Sequence, residues 1–312
     1  MTSRFRPAYN TRGIVTSKQC KLLLSCFLTL IAACSGTDDE PDLMCQDWFA
    51  DARPCNGSKE YCNRRYNEVS YVTTHNAMSN EDDEWFGPNQ KRNMKSQLFD
   101  GVRAFMIDTH YNSETETREP SLCHGGCILG AIELGEALAI FENFLRCNSN
   151  QVVTFIVEAY VSPEDTKQAF EDAGLINYVY AHNKDQPWPT LQELIDNNTR
   201  LIVLSDDGEA DGWYMNVWDH AFETPFSADN PDALVCTLNR GDVDNSLFIL
   251  NHFLTTILGS EELAEQINFN PFFSERAVAC QNEFMRLPNF VTVDFYSVGD
   301  VFEVTKMLND TN

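Results

Sequence analysis

Two short motifs place histidines beside groups that could bind or transform a ligand. The segment YVTTHNAMSN, residues 71–80, puts His75 and Asn76 directly after a run of β-forming residues. A second motif, LCHGGC, carries His124. Imidazole titrates near pH 6.5, so one histidine can act as a base while another acts as an acid. For either histidine alone, a hydrogen-bonded polar group in a loop is the simpler interpretation, whereas the pair favours acid–base chemistry.

Acidic side chains follow the same pattern, because each comes at or near the end of an apolar segment. Asp108 lies near the end of VRAFMIDTH, Glu158 near the end of VVTFIVEAYV, and Asp206 directly after LIVLS. The pair Asn251-His252 lies within another apolar run, LFILNHFL. Polar groups that served only stability would be scattered over both ends of the strands. Their common position predicts one catalytic mouth, with a metal as a further participant.

The elements that must position these residues alternate between strands and helices. Predicted strands cover 68–75, 102–110, 121–125, 152–161, 201–207, 247–254 and 289–299, and predicted helices cover 130–148, 162–174, 191–197, 260–267 and the segment that ends at Leu308. Apolar strands separated by helices indicate a parallel sheet with both faces covered. We therefore predict an α/β fold, a distorted TIM (β/α)8-type barrel in a single domain. A doubly wound sheet is the alternative, but no glycine-rich phosphate loop follows the first strand.

The charge and composition of the chain limit the kinds of partner that it can bind. The formal net charge is −25, and no basic patch is visible in the body of the chain. We therefore predict no nucleic-acid partner. Hydrophobic residues make up 43% of the chain, which is enough for a large core.

The first 34 residues read as an export signal. Five arginines and lysines precede the apolar run LLLSCFLTLIAAC, residues 22–34, which is too short to predict a membrane span. Its end resembles a bacterial lipobox, and that resemblance implies lipidation of Cys34. An ordinary cleaved signal and a short membrane anchor are the alternatives. Residues 35–54 are predicted to form an acidic tether and residues 55–312 the barrel, so we expect an exported protein, either lipid-anchored at the cell envelope or secreted.

Eight of the eleven cysteines lie after this leader. An even number of cysteines behind an export signal indicates disulfides in an oxidising compartment. We predict the pairs Cys55–Cys62 and Cys236–Cys280. The spacing Cys123-x3-Cys127 around His124 leaves a zinc site as a competing interpretation.

Five segments together resemble a known family in their order, their spacing and their placement at strand ends. They are CNGSKEYCNRRYNEVSYVTTHNAMS, QLFDGVRAFMIDTH, LCHGGC, NSNQVVTFIVEAYV and LPNFVTVDFYSVGD. They resemble the phosphatidylinositol-specific phospholipase C X-domain superfamily, and most closely its extracellular phospholipase-C-like phosphodiesterases. The resemblance covers roughly residues 55–309. It implies a distorted TIM barrel that cleaves phosphodiesters, typically inositol phospholipids.

The resemblance assigns roles position by position. THN at residues 74–76 matches the first histidine motif, so His75 resembles the general base that takes a proton from the 2-hydroxyl of inositol. CHG at 123–125 matches the second motif, so His124 resembles the general acid that protonates the leaving alcohol.

The second strand motif implies a divalent cation, which we expect to be Ca²⁺. Asp108 stands where metal-independent members have an arginine, and a carboxylate can serve a phosphate only through a bound cation. Asn76, Asp108 and Glu158 match three ligand positions of the calcium-dependent members, and all three offer oxygen. Met106 stands where those members have a further carboxylate. Water, Asp206 or the substrate would then complete the ligand set, and a structural role for the two carboxylates is the alternative.

Substrate and partners follow from the same resemblance. We expect the substrate to be a phosphatidylinositol-type lipid at a membrane surface. The strand ends carry no cluster of lysines and arginines, which argues against a polyphosphorylated head group. Tyr296 is an expected pocket residue. Five aromatic residues in predicted loops are either core or membrane-contacting: Trp85, Phe86, Trp213, Tyr214 and Trp218. Two alternative functions remain. One is a non-catalytic surface binding protein on the same barrel, which Met106 favours. The other is a glycerophosphodiester or sphingomyelin phosphodiesterase.

Overall fold

A parallel sheet organises the molecule. The computed structural model describes residues 45–50, 53–207, 211–256 and 258–311, all within one compact unit. Its strands are β1 (Tyr71–Thr74), β2 (Ala104–Tyr111), β3 (Pro120–Leu122), β4 (Ile132–Glu133), β5 (Val153–Ala159), β6 (Leu201–Ser205), β7 (Tyr214–Asn216), β8 (Ala221–Glu223), β9 (Leu247–Asn251) and β10 (Phe290–Val293). Eight of them are parallel and lie in the order β7-β6-β5-β2-β1-β10-β9-β8.

Helices follow most of these strands. They are α1 (Pro54–Gly57), α2 (Met94–Asp100), α3 (Leu134–Cys147), α4 (Pro163–Asp172), α5 (Leu191–Asp196), α6 (Glu261–Ile267), α7 (Phe272–Phe284) and α8 (Val301–Asp310). Their starts follow from local sequence. The Ser162 hydroxyl caps α4 with Pro163 at its first position, and Thr190 and Glu193 form a capping box at α5.

The strand order identifies the barrel. Read from β8 through β1 to β7, the parallel strands follow one another cyclically along the chain, whereas a doubly wound sheet would reverse its order at a switch point. The predicted (β/α)8-type barrel is therefore confirmed, and the doubly wound alternative is wrong. Within the described part of the chain no pairing joins β7 to β8, so the curled sheet is open at this seam.

The burial of β5 shows why the apolar runs become central strands. Val153 through Val157 are all buried, because β5 lies between β2 and β6 and both of its faces are covered. The first charged residue comes only afterwards, at Glu158, where the strand reaches the open end of the barrel. The same arrangement ends β2 and β6.

Some elements differ from the sequence expectation. The predicted strand at 121–125 is the short β3, which pairs antiparallel with β2 and lies outside the parallel set. Strands β7 and β8 were not predicted, since three residues are too few to show a periodic pattern. Helices α2 and α7 were also missed.

Four disulfides link the described residues: Cys45–Cys147, Cys55–Cys62, Cys123–Cys127 and Cys236–Cys280. Both predicted pairs are present. The zinc alternative at residues 123–127 is wrong, because these two cysteines are bonded to each other. Cys45 lies within the predicted tether, and its bond joins that segment to α3.

The export prediction concerns residues that the structure does not describe. The predicted signal peptide, Cys34 and the first part of the tether all lie outside the described residues. In the described part of the chain, none of the helices has the length and apolar character needed to cross a bilayer.

Candidate active site

A cavity of about 330 Å³ opens at the carboxyl ends of the parallel strands. One side of its lining brings together six of the residues that the sequence singled out: His75, Asn76, Met106, Asp108, Glu158 and Asp206. They come from four neighbouring strands, β1, β2, β5 and β6. The cavity therefore assembles the predicted mouth from segments far apart in the chain.

His75 directly follows β1 and is firmly held. Its Nδ1 lies 2.9 Å from Oδ1 of Asp294, which directly follows β10. Because a carboxylate accepts hydrogen bonds, Nδ1 carries the proton and Nε2 keeps a free lone pair. The ring stacks on Phe253, with centroids 3.9 Å apart and planes 8° from parallel. This geometry fits a general base whose tautomer and plane are fixed.

Further polar groups fix the base in place. The amide of Asn89 donates to both oxygens of Asp294, at 3.2 and 3.3 Å. The amide of Gln90 donates to the carbonyl oxygens of His75 and Val293, at 2.7 and 3.1 Å, and so joins the ends of β1 and β10. Asn89, Gln90, Val293 and Asp294 are all buried, which limits the competition of water for these hydrogen bonds.

His124 lies beside the cavity in a more exposed setting. Its Nδ1 is 3.3 Å from Oδ2 of Asp108, and 35% of its side chain is exposed. The hydrogen bond that His124 donates to the Asp108 carboxylate raises the pKa of His124 above its usual value, against the opposing effect of partial burial. A raised pKa extends the protonated form of the imidazole to higher pH, and that form carries a proton on Nε2, which is what a general acid needs.

The three residues predicted to bind a cation line the same cavity. Asp108 and Glu158 are directly paired in the register of β2 and β5, so their carboxylates project from adjacent positions. Asn76 turns the chain at the end of β1 with a left-handed φ of 45°, which asparagine tolerates. Its side-chain amide nitrogen is buried and lacks a hydrogen-bond partner. Glu158 accepts a hydrogen bond from the hydroxyl of Tyr160 at 2.5 Å.

A divalent cation fits this donor set only in part. Nowhere in residues 45–50, 53–207, 211–256 and 258–311 do three or more His, Cys, Asp or Glu side chains form a group that could hold a metal ion. In the described segments Asp108 pairs with His124, but neither Asp108 nor Glu158 forms a salt bridge with a lysine or arginine, so the two neighbouring carboxylates keep a net negative charge even when the imidazole is protonated. That charge favours a cation, with the oxygen of Asn76 as a third ligand.

Two further predicted residues differ in outcome. Asp206 lines the cavity and accepts a hydrogen bond from the backbone N–H of Ala159 at 2.9 Å, while burial raises its pKa. Tyr296 is a correction. It is buried outside the cavity lining, because its hydroxyl donates to Asp100 at 2.6 Å and its ring packs edge-on against Phe302 of α8.

The opposite wall contains residues that the sequence did not single out as a group. Glu223 at the end of β8 is buried and accepts from Nε of Arg240 at 2.5 Å and from the amide of Asn251 at 3.0 Å. The Arg240 guanidinium also lies over the rings of Trp218 and Phe226, at 4.4 and 4.7 Å from their centroids. Arg240 is the one lysine or arginine among the described residues lining the cavity.

The five aromatic residues predicted to lie in loops take different positions in the structure. Trp85, Trp213 and Tyr214 are buried, so the core interpretation holds for them. Phe86 is 66% exposed, and its backbone N–H donates to the carbonyl of Leu129, next to Ile128, which is 77% exposed. Trp218 lines the cavity.

His252 shows that a strand-end histidine need not be catalytic. It is fully buried: its Nε2 donates to the carbonyl of Ile267 at 3.0 Å, and its Nδ1 accepts from Arg276 at 3.1 Å. Burial lowers its pKa well below the usual value. Neither ring nitrogen is free for a proton transfer, so its role is structural.

Comparisons with known proteins agree on one family. The family model described as PI-PLC X matches residues 61–309. A PI-PLC X domain-containing protein of Arthroderma benhamiae is 30% identical over 82% of this chain and 89% of its own length. An uncharacterized secreted protein of the same fungus is 29% identical over 83% of this chain and 64% of its own length. A PI-PLC X domain-containing protein of Arabidopsis thaliana is 27% identical over 97% of this chain and 76% of its own.

Solved structures agree with the fold. A phosphatidylinositol-specific phospholipase C from Staphylococcus aureus covers 80% of this chain and 94% of its own length, with a TM-score of 0.53 and 14% identity. Another structure of the same enzyme reaches a TM-score of 0.56 at 15% identity, over 80% of this chain and 95% of its own. At this identity the likeness concerns the fold alone.

Proposed function

The chain belongs to the PI-PLC X domain family, and on that premise we propose that it is a phosphodiesterase with two histidines as its acid and base. The observation that carries the proposal is the matched environment of His75 and His124. Each imidazole has its Nδ1 on a carboxylate, at Asp294 or Asp108, at the same end of the barrel. Each therefore keeps Nε2 for the reaction, one as a base and the other as an acid.

The two histidines divide the proton transfers. Nε2 of His75 takes the proton from a substrate hydroxyl next to the phosphodiester, and that oxygen attacks phosphorus. As the bond from phosphorus to the leaving oxygen breaks, the Nε2 proton of His124 passes to that oxygen. The first product is a cyclic phosphodiester, and the second is a neutral alcohol. Asp294 stabilises the imidazolium that forms on His75.

The cavity charge favours a head group of hydroxyls over one with additional phosphates. Four carboxylates line it, those of Asp108, Glu158, Asp206 and Glu223, against the single guanidinium of Arg240. Arg240 is already paired with Glu223. A polyol such as inositol can donate hydrogen bonds to carboxylates, whereas further phosphate groups would be repelled.

We also propose that a divalent cation, in the first instance Ca²⁺, binds between Asn76, Asp108 and Glu158. When bound, it would neutralise charge on the phosphoryl oxygens. Asp108 then has two tasks, because its Oδ2 already accepts from His124. Met106, apolar at the cavity wall, contributes no ligand.

Export and a membrane surface complete the proposal. Four disulfides and a secreted relative support an extracellular location, and we retain lipidation at Cys34 as a proposal. Exposed Phe86 and Ile128 lie in loops at the same end of the barrel as the cavity. Such apolar side chains suit contact with a lipid surface that presents the substrate.

Met106 favours one rival, a binding protein that has kept the barrel and lost turnover. Hydrolysis of phosphatidylinositol vesicles by the purified, oxidised chain, with Ca²⁺ and with chelator, tests between them. We expect release of diacylglycerol and a cyclic inositol phosphate that the chelator suppresses. His75→Ala and His124→Ala serve as inactive controls. Cleavage of glycerophosphodiesters or sphingomyelin, but not of phosphatidylinositol, would change the proposed substrate class. No turnover of phosphatidylinositol, glycerophosphodiesters or sphingomyelin would support the binding-protein alternative.

A further inference from the structure

The candidate acid His124 lies inside a ring of five residues. Cys123 and Cys127, on either side of the sequence His124-Gly125-Gly126, are joined by a disulfide with Cα atoms 4.9 Å apart. Cys123 is fully buried, and its backbone N–H donates to the carbonyl of Asp108 at 3.1 Å. One end of the ring is therefore fixed to the strand that also carries the hydrogen-bond partner of His124.

The rest of the ring has little other support. Gly125 and Gly126 are exposed, Gly125 has a left-handed φ of 66°, and a Cβ added to Gly125 would meet no heavy atom within 4 Å. Two consecutive glycines have more backbone freedom than any other pair of residues, so ordering them costs the most entropy. Side-chain packing does not restrain Gly125; the backbone N–H of Leu129 donates to the carbonyl of Gly126 at 3.0 Å, and the disulfide is the covalent restraint on this turn.

The size of the ring argues against a purely stabilising role. A disulfide stabilises a fold more when it closes a longer loop. Cys45–Cys147 and Cys236–Cys280 span sequence separations of 102 and 44, whereas Cys123–Cys127 spans 4. The disulfide with the smallest sequence separation encloses a candidate catalytic histidine, so its effect is expected to be local.

We propose that the Cys123–Cys127 disulfide is the positioning element of the acid, and that its reduction switches off the proposed activity. The disulfide holds the turn so that His124 Nδ1 stays at Asp108 and Nε2 faces the leaving group. The proposal rests on the proposed function for its effect on turnover, and on the ring geometry alone for its effect on the order of His124.

The reductant is a dithiol. Cys127 is half-buried while Cys123 is fully buried, so a thiolate attacks Sγ of Cys127. The protein S–S bond breaks, Cys123 leaves as a thiolate and takes up a proton, and a mixed disulfide forms on Cys127. The second thiolate of the reductant attacks that mixed disulfide and releases Cys127, which is also protonated. Two electrons pass to the protein, and the reductant leaves as a disulfide.

The test compares two paired variants, Cys123→Ala/Cys127→Ala and Cys55→Ala/Cys62→Ala. The second pair removes another short disulfide, with a separation of 7, whose cysteines do not line the cavity. Each variant is assayed on an alkyl and on a nitrophenyl phosphodiester of inositol. A nitrophenolate leaves without protonation, so a misplaced acid should cost about 10²-fold in kcat on the alkyl ester and less than about threefold on the nitrophenyl ester. The control pair should change neither value.

Backbone ¹⁵N relaxation gives a readout that needs no turnover. We expect the order parameters of residues 124–126 to fall below about 0.6 in Cys123→Ala/Cys127→Ala, while those at His75 stay near 0.85. Unchanged order at 124–126 would overturn the positioning role. Equal losses on the two esters would overturn it as well, because they would show a general defect rather than a misplaced acid.

Two safeguards keep the test decisive. If the variant does not fold, the wild-type chain is treated with limited dithiothreitol, and alkylation with mass mapping identifies the molecules in which only Cys123–Cys127 has opened. Those molecules should show the same loss of order, and full retention of order would refute the proposal. If the wild-type chain cleaves no phosphodiester, the proposed function fails while the relaxation data still decide the role of the ring.

Discussion

The two candidate catalytic histidines, His75 as the proposed base and His124 as the proposed acid, are held in different ways. His75 sits in a packed polar network: Asp294 at 2.9 Å, stacked Phe253, and the buried amides of Asn89 and Gln90. His124 is held by one longer hydrogen bond, 3.3 Å from Asp108, and by a covalent ring that carries two exposed glycines. The proposed base is held by its packed surroundings, and the proposed acid, on our inference, is held by a crosslink.

This difference fits the two tasks. A base must meet one substrate hydroxyl at a fixed angle, so surrounding packing that fixes the imidazole plane is an advantage. An acid must meet a leaving group that carries the bulk of a lipid and departs toward solvent, so its loop has to remain at the surface. A short crosslink orders such a loop without burying it. Variants of the two sides should therefore fail in different ways.

The largest expected effect is at the base. His75→Ala should lower kcat by about 10³- to 10⁴-fold on both alkyl and nitrophenyl esters, because the attacking hydroxyl needs a base whatever the leaving group is. His124→Ala should lose comparable activity on the alkyl ester only. Rates for the two esters, measured side by side, check this contrast. A His75→Ala variant that regained activity on the nitrophenyl ester would reverse the assigned roles.

A smaller effect is expected at Asp294, the carboxylate that accepts the hydrogen bond from His75. Asp294→Asn replaces an acceptor with an amide that can donate to Nδ1, which moves the imidazole proton to Nε2 and removes the base. We expect about a 10²-fold fall in kcat with little change in KM. Asp100→Asn is the matched control, since Asp100 also accepts from a buried ring, the Tyr296 hydroxyl, but lies outside the cavity lining. Equal losses in both variants would mean that Asp294 only stabilises the fold.

Asp294 also shows how far the sequence alone can reach. Strand-end position predicted His75, Asn76, Asp108 and Glu158 at one mouth, because parallel strands bring their carboxyl ends together. The same rule applies to the segment that ends in Asp294. Its pairing with His75, 219 positions away, depends on β10 lying next to β1, and this neighbour relation is set by barrel closure.

Other parts of the candidate site could not be predicted from local sequence patterns. Arg240 and Glu223 meet through a loop that no periodicity describes, and β8, which carries Glu223, is only three residues long. Tyr296 was misplaced because position after a strand does not give the direction of the chain beyond it. The disulfide at Cys123 was open to a zinc interpretation, since spacing alone cannot distinguish a crosslink from a pair of ligands.

A further prediction concerns the pH range in which the acid works. Asp108 raises the pKa of His124, so its protonated form persists above the usual value near 6.5 and is lost as the pH rises through the raised pKa. Activity on the alkyl ester should fall along that alkaline limb. Asp108→Asn should move the limb to lower pH, toward 6.5. The profile is recorded at saturating Ca²⁺, because Asp108 is also a proposed ligand, and an unmoved limb would assign it to another group.

The smallest effect is expected from the aromatic stack on the base, and it has an unusually close control. His75 stacks on Phe253 at 3.9 Å and 8°, and His252 stacks on Phe273 at 3.8 Å and 2°, yet only the first histidine lines the cavity. A stacked aromatic pair contributes about 0.5–1.5 kcal/mol beyond its buried area, so Phe253→Leu should lower kcat by about two- to tenfold through a less fixed imidazole plane.

Phe273→Leu removes the same kind of contact from a fully buried pair. It should lower the free energy of unfolding by about 1 kcal/mol and leave kcat per folded molecule unchanged. Denaturant titration and steady-state kinetics on both variants separate the two effects. Equal kinetic losses would mean that stacking serves the fold at both sites, and the rigid placement of the base would then rest on Asp294 and its amide partners alone.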